Sequence, residues 1–267
     1  QNSIETLLAL GVGDRIVAGM GVPNAKYIRP EYRAAYEAIP YTSLENLDVE
    51  TILMMQPDLI VGWASTFSPK VLRGTSFWAG RGVHTYIAPS SSRATAQKTI
   101  AQECEDIRNL GRIFHREERA AALIGEMQEE IAYVAGRTAH MEKRPRALVI
   151  ELMGKEIRSY GEATLAGDML RALGAEHLAA DGHSLSMEEI IELDPDAIFL
   201  VVIESDYGSE DAITARLYDN PALRSLSCVQ QHRIYTVPLY AVYSAGIRTY
   251  DGITIFAHGL YPEIYGE

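Results

Sequence analysis

Cysteine is scarce in this chain of 267 residues: only Cys104 and Cys228 occur, and neither sits in a CxxC or other ligand spacing. A disulfide framework and a thiolate zinc site are therefore not supported, and each thiol reads as a small buried apolar side chain. Positive charge is short as well. Lys and Arg number 24 against 36 Asp and Glu, a formal net charge of −12. That argues against nucleic acid, because phosphate binding needs a basic face. An anionic small ligand stays compatible, since a local arginine cluster can coexist with an acidic exterior. No apolar run approaches the roughly 20 residues that cross a bilayer. Phenylalanine is rare, 5 against 15 tyrosines, and an excess of amphipathic aromatics suits a surface apolar on one side and wet on the other.

Catalytic signatures are missing too. No GxSxG, HExxH or GxxxxGK[ST] occurs. Gly11-Val12-Gly13-Asp14 has too few glycines for a phosphate cradle and follows a helical pattern instead of a strand. Asp168 and Asp181 have no partner acid at a defined spacing, and the histidines are ungrouped. No catalytic residue, resident cofactor or protein-held metal is therefore expected. A two-lobed α/β enzyme subunit is the alternative.

What is present is alternation. Strand-like runs at Arg15–Met20, Leu59–Trp63, His84–Ala88, Ala147–Leu152, Ala197–Ile203 and Arg233–Val237 are separated by helical patterns, which predicts parallel sheets with crossover helices. A repeat sharpens this. D-V-E-T-I-L-M-M-Q-P-D-L-I-V-G-W from Asp48 and S-M-E-E-I-I-E-L-D-P-D-A-I-F-L-V from Ser186 share one plan: a capped helix, Pro57 or Pro195, an aspartate, then a buried strand. Ala9-Leu10-Gly11 and Ala172-Leu173-Gly174 precede them, each glycine closing a helix. Leu10 and Pro57 stand 47 positions apart but Leu173 and Pro195 only 22, so the first half carries an insertion of roughly 25 residues. It lies near Val22–Tyr41, holds Tyr27, Arg29, Tyr32, Arg33, Tyr36 and Tyr41, and includes a short helix at Pro30–Ala38. A stretch that long is either functional or a surface flap.

Between the halves, Ala94–Phe114 and Arg116–His140 read as successive helices, the second with Ala120, Leu123, Ile124, Met127, Ile131 and Val134 on one face. A helix of that length spans about 35 Å. Asn2-Ser3 reads as the N-cap of an opening helix. With no signal peptide visible, the expectation is a trimmed form of an exported protein.

These pieces, in order, resemble the class III substrate-binding proteins of ABC importers, the group that carries ferric siderophores, haem and cobalamin. The matching stretches are E-T-L-L-A-L-G-V-G-D-R-I-V-A-G, L-D-V-E-T-I-L-M-M-Q-P-D-L-I-V-G-W, R-N-L-G-R-I-F-H-R-E-E-R-A-A-A-L, A-G-D-M-L-R-A-L-G-A, M-E-E-I-I-E-L-D-P-D-A-I-F-L-V and N-P-A-L-R-S-L. The resemblance covers nearly the whole chain, although the strand with which family members open is not seen here. It implies two Rossmann-like α/β lobes at residues 1–115 and 141–267, joined by a single long helix at 116–140, with a ligand cleft between them. It also implies a monomer on the periplasmic or extracellular face of the membrane, lipid-anchored or free.

Ligands of doubly wound sheets sit outside the carboxyl ends of the strands. In the first lobe the loops there carry Tyr27, Arg29, Trp63, Ser65 and Arg93; in the second they carry Tyr160, Tyr240, Tyr243 and Arg248. Arginine pairs carboxylate or catecholate-type anions in a fork, and tyrosine adds a flat face with a polar tip. Trp63 could lie against a macrocycle or an aromatic chelator, or plug its lobe. Arg248 could reach the ligand or pair Asp251 at i,i+3. Arg73, Arg81 and Arg158 are further cations. The expected ligand is a ferric siderophore with its iron held by the chelator; haem, cobalamin and an oxyanion are alternatives. The resemblance further implies docking of one acid per lobe on a permease dimer. Glu210 and Asp211 fit in the second lobe and Glu37 (or Glu31) in the first.

Overall fold

The computed structural model describes residues 2–92, 96–179 and 181–266. They form two compact units: Gln1–Ala96 with Ala101–Ile124, and Gln97–Ile100 with Gly125–Glu267.

In the first unit, α1 (Asn2–Ala9) buries Ile4, Leu7 and Leu8 as their helical spacing requires. Asn2 and Ser3 lie inside this helix instead of capping it, and the Thr6 hydroxyl donates to the Asn2 carbonyl at 2.9 Å. Strand β1 (Ala18–Met20) is followed by the insertion, which folds as 3-10 turns at Ala25–Tyr27 and Pro30–Tyr32 and then α2 (Arg33–Glu37). The insertion is no loose flap. Val22, Ile28, Tyr36 and Ile39 pack with Ile4 and Leu8, and the Arg33 guanidinium donates to the Ile28 and Lys26 carbonyls at 3.0 and 2.9 Å. The chain then returns as β2 (Tyr41–Ser43), parallel to β1 with Ala18 opposite Tyr41.

Next come α3 (Val49–Met55), β3 (Leu59–Gly62), α4 (Thr75–Ala79) and β4 (His84–Ile87), with β4 parallel to β3. Among the described residues the strands of this unit form two separate pairs instead of one sheet. Trp78 has no exposed surface and packs among Ile52, Phe67, Leu72 and Val83. Its indole N–H donates to the Leu72 carbonyl at 2.6 Å, which satisfies the polar tip of a buried aromatic. Helix α5 (Ile100–Ile113) starts later than the sequence suggested, the Lys98 amide donating to the Ala163 carbonyl at 2.8 Å instead of entering a helix. It is followed by α6 (Glu117–Thr138), whose residues to Ile124 belong to the first unit and the rest to the second. One helix thus covers most of the segment expected at 116–140, with its residues divided between the units. A Cβ at Gly111 would lie 2.6 Å from the Ala120 side chain, so the glycine in R-N-L-G lets α5 and α6 approach. No helix of the described residues is long and apolar enough to cross a membrane.

The second unit is built on β5 (Arg146–Met153), β6 (Glu156–Ser159), α7 (Leu165–Ala172), β7 (Glu176–His177), β8 (Ser184–Leu185), α8 (Met187–Leu193), β9 (Ala197–Val202), α9 (Glu210–Tyr218), α10 (Ser227–Gln230), β10 (Ile234–Pro238), α11 (Leu239–Val242), α12 (Thr249–Leu260) and α13 (Pro262–Tyr265). The sheet runs β10-β9-β5-β6-β8, with β7 beside β5. Strands β10, β9, β5 and β7 are parallel, while β6 runs antiparallel to both of its neighbours, β5 and β8. Every residue of β9 is buried, as a strand covered on both faces requires. Ile198 and Leu200 join the α8–α10 side with Leu148, Ile150 and Ile190. Phe199 points the other way, its ring centroid 4.4 Å from that of Phe256 on α12.

The repeat is realised in its caps. Asp48 accepts the Thr51 amide at 2.8 Å, and Ser186 forms a reciprocal capping box with Glu189. The residues just before the two prolines, Gln56 (φ 50°) and Asp194 (φ 40°), both end their helices in the left-handed conformation. Gly11 (φ 73°) and Gly174 (φ 78°), the last residues of the A-L-G segments, are left-handed as well.

One buried acid gives this fold a pH dependence. Asp106 on α5 is 4% exposed and accepts the Tyr86 hydroxyl at 2.7 Å. Burial pushes its carboxyl up to about 6 from an ordinary 3.8. Because the folded value is the higher one, the charged form costs stability above pH 6, and the cost fades as pH falls toward 4. Asp106→Asn keeps an acceptor for Tyr86. It is expected to stabilise the protein at neutral pH by about 1–2 kcal/mol, within the ceiling of about 3 that this gap sets, and by nothing near pH 4. Urea unfolding at both pH values checks this; a variant weaker than the wild type at neutral pH would show the carboxylate to be an asset.

Candidate functional site

Strand β5 carries Glu151 near its carboxyl end, on the face opposite Ile150 by alternation. Its neighbour β6 pairs Arg158 with Glu151 in register and delivers Tyr160 just beyond its end. The Tyr160 hydroxyl donates to Glu151 Oε2 at 2.7 Å, with the tyrosine 6% and the glutamate 8% exposed. Burial, then this carboxylate, hold the phenol far above its ordinary pKa, so Tyr160 is a fixed neutral donor. The Arg158 guanidinium is exposed and lies 5.6 Å from the centre of the Tyr160 ring.

From Tyr160 the chain turns into α7. Thr164 caps that helix, its hydroxyl donating to the Gly161 carbonyl at 2.7 Å and accepting the Gly167 amide at 3.2 Å. The turn is gripped by glycines. A Cβ at Gly167 would sit 2.4 Å from the Gly161 oxygen, and one at Gly182 would sit 2.9 Å from the Gly161 nitrogen. Around it opens a cavity of about 220 Å³ lined by Lys98, Arg158, Tyr160, Asp181 and Tyr243 among others. Tyr243 is 49% exposed. The cavity therefore combines two cations, one acid, a committed phenol and an exposed aromatic ring. That set suits a compact ligand with anionic oxygens and a flat or apolar flank.

The remaining residues singled out from sequence fall in separate groups. Tyr240 and Arg248 meet: the guanidinium stands 4.7 Å from the centre of the Tyr240 ring, and Tyr207 packs edge-on against Tyr240 at 5.7 Å. Arg248 is 7% exposed and donates to Asp251 Oδ2 at 2.7 Å. The i,i+3 pair is thus formed, and the side chain does not stand clear of the core as its loop position suggested. In the first unit, Tyr27 and Arg29 occupy neighbouring 3-10 turns, and the Arg29 amide donates to the fully buried carboxylate of Glu5 at 2.9 Å. Trp63 is half-buried at the end of β3 and Ser65 is exposed. Their turn is pinned by the Thr66 hydroxyl on the Trp63 amide at 3.2 Å and the Ser91 hydroxyl on the Ala64 amide at 2.9 Å. Arg93 lies outside the described residues. Of the docking acids, Glu37 and Asp211 are exposed and Glu210 is half-buried, the last two in the first turn of α9.

Lys98, Glu151 and His177 belong to the second-unit site and were not singled out from sequence. Nothing local marks them, because Lys98 comes from a much earlier stretch of the chain and Glu151 and His177 meet Tyr160 only once the strands have paired. A larger open groove of about 820 Å³ runs along the outer edge of β10, lined by Tyr218, His232, Tyr235 and His258. It lies at a sheet edge instead of at strand carboxyl ends, so the smaller cavity is the better candidate. Among the described residues no group of three or more His, Cys, Asp or Glu side chains converges as metal ligands.

A family model described as periplasmic binding protein matches residues 1–241. The crystal structure of a periplasmic binding protein from Veillonella parvula DSM 2008 is 48% identical, with a TM-score of 0.96 over 100% of this chain and 84% of that one. An uncharacterized ABC transporter substrate-binding lipoprotein of Bacillus subtilis (strain 168), YvrC, is 24% identical over 276 residues, 100% of this chain and 79% of the relative. A structure from an ABC-type Fe3+-hydroxamate transport system of Saccharomonospora viridis DSM 43017 is 25% identical, with a TM-score of 0.75 over 97% of this chain and 90% of that one.

Proposed function

The chain belongs to the periplasmic binding protein family, and from that premise we propose that it is the extracytoplasmic binding component of an ABC importer for a ferric siderophore. It acts as a carrier and not as an enzyme. The observation that carries the ligand assignment is the exposed Arg158 guanidinium beside the exposed Tyr243 ring on one cavity. An iron chelate with anionic oxygens and an organic flank matches both, and the chelator, not the protein, holds the metal. The likeness to a Fe3+-hydroxamate system supports the same class. Trp63 and Ser65 stand just past the carboxyl end of β3 in the first unit. Glu210, Asp211 and Glu37 dock the loaded protein on the permease dimer, and charge reversal at Glu210 with Asp211 is the variant that separates delivery from capture.

Two tryptophans make the ligand test direct. Trp78 is fully buried in its core, whereas Trp63 is half-buried on a strand-end turn. Titration with a ferric trihydroxamate is expected to quench tryptophan emission, with micromolar or tighter affinity of about −8 kcal/mol. Trp63→Phe should remove most of that quench while leaving the Trp78 emission in place. Response to haem or cobalamin alone, in a panel that includes oxyanions, would replace the ligand assignment. Silence across the panel would overturn the importer reading.

A further inference from the structure

The hydrogen bonds of His177 fix its tautomer. On β7, its Nδ1 lies 3.1 Å from the Ala179 amide nitrogen, and its Nε2 lies 2.6 Å from the Tyr160 carbonyl oxygen. A backbone N–H only donates, so Nδ1 must be bare. A carbonyl only accepts, so Nε2 must carry the proton. The ring therefore bridges two backbone groups as a neutral donor–acceptor. One of them belongs to Tyr160, at the start of the glycine-gripped turn. The other belongs to Ala179, whose carbonyl accepts the Gly182 amide at 3.1 Å, and Gly182 is the residue pressed against Gly161. Both sides of the turn thus rest on one imidazole.

We infer that His177, as the neutral Nε2–H tautomer, is the positioning residue that braces the Tyr160–Gly161 turn, and that a second proton on the ring slackens the ligand surface this turn carries. Protonation would set N–H against N–H at Ala179 and break that half of the bridge. The charged groups on the neighbouring elements are mostly satisfied elsewhere. Arg146 on β5 faces Glu176 at 4.0 Å, Arg171 and Asp168 on α7 pair with each other, and His183 faces Glu189 at 3.6 Å. Asp181 is exposed, and Glu162 in the turn itself is the acid whose charge reaches the ring. Burial outweighs Glu162 and lowers the imidazole below its ordinary value, so the neutral brace is complete at neutral pH and is lost on acidification. The ligand half of this inference rests on the proposed function; the brace itself does not.

Two measurements on wild type and His177→Gln separate the halves. Glutamine retains a donor and an acceptor but does not titrate. In ligand-free protein, the Gly161 and Ala179 amide resonances are followed from about pH 8 down through the His177 ring titration. Both are expected to move with the His177 ring titration and to stay flat in the variant. Affinity for a ferric trihydroxamate should fall at least about fivefold over the same range, the low end of an ordinary coupling between sites. The glutamine variant should keep its neutral-pH affinity and lose that fall. Amides that ignore the ring titration would overturn the brace. An acid-induced loss of affinity equal in both proteins, or none in wild type, would overturn its link to the ligand. Absence of binding at either pH would instead strike the proposed ligand, with the amide titration still deciding the brace.

Discussion

An Arg158→Ala, Tyr243→Ala double variant is expected to bind a ferric trihydroxamate at least about a hundredfold more weakly than wild type, and to melt within about 2 °C of it. Truncating an arginine that pairs a desolvated anion costs roughly 2–5 kcal/mol, much of it from the partner left behind, and each 1.4 kcal/mol is about tenfold in affinity. The melting temperature should hold because both side chains are exposed, and exposed positions seldom move stability by more than about 0.5 kcal/mol. Calorimetric titration and thermal melting on one preparation read both quantities. Wild-type affinity in the double variant would remove this cavity from the ligand site.

Arg248→Ala is expected to behave in the opposite sense, as a stability variant. The guanidinium is buried, bonded to Asp251 and laid over Tyr240. Removing it leaves the Asp251 carboxylate without this partner, on a helix start where its side chain is 25% exposed. Breaking a buried pair by deleting one member costs about 3–5 kcal/mol, and partial exposure of the acid brings the figure here to roughly 2–4. In a chain of this size that corresponds to a melting drop of roughly 4–16 °C. Arg248→Lys should recover part of it, retaining charge without the planar fork. An unchanged melting temperature in the alanine variant would show that the pair adds nothing to the fold.

The parts of the fold legible in sequence were those written in local chemistry. Asp48 and Ser186 announce helix starts because a cap acts within three residues, and Gly11 and Gly174 announce helix ends because a left-handed φ suits glycine. Strand β9 announces itself as an unbroken apolar run. The strands β6 and β8 did not. They are short, mix polar with apolar residues, and owe their pairing to partners across the sheet. Pairing of β1 with β2 was likewise hidden, because the insertion between them had no counterpart in the second half. The site followed the same rule. Tyr160 and Tyr243 could be placed by their position after strands. The Tyr160–Glu151 bond, the reach of Lys98 and the bridge made by His177 depend on register and on contacts from far along the chain. Arg248 could be read either way because an i,i+3 acid is visible in sequence, whereas the burial that decides its role is not.

The glycines beneath the turn carry a consequence for how such a protein changes its cargo. Gly167 and Gly182 fix the course of the backbone by the atoms they lack, so side chains at those two positions would displace the frame itself. Arg158, Lys98, Asp181 and Tyr243 surround that frame without composing it. The residues that line the pocket and those that set its frame are therefore distinct. Exchanging the exposed side chains is expected to alter what the pocket accepts while leaving its frame, and a sensor built on this chain could be retuned at the same positions.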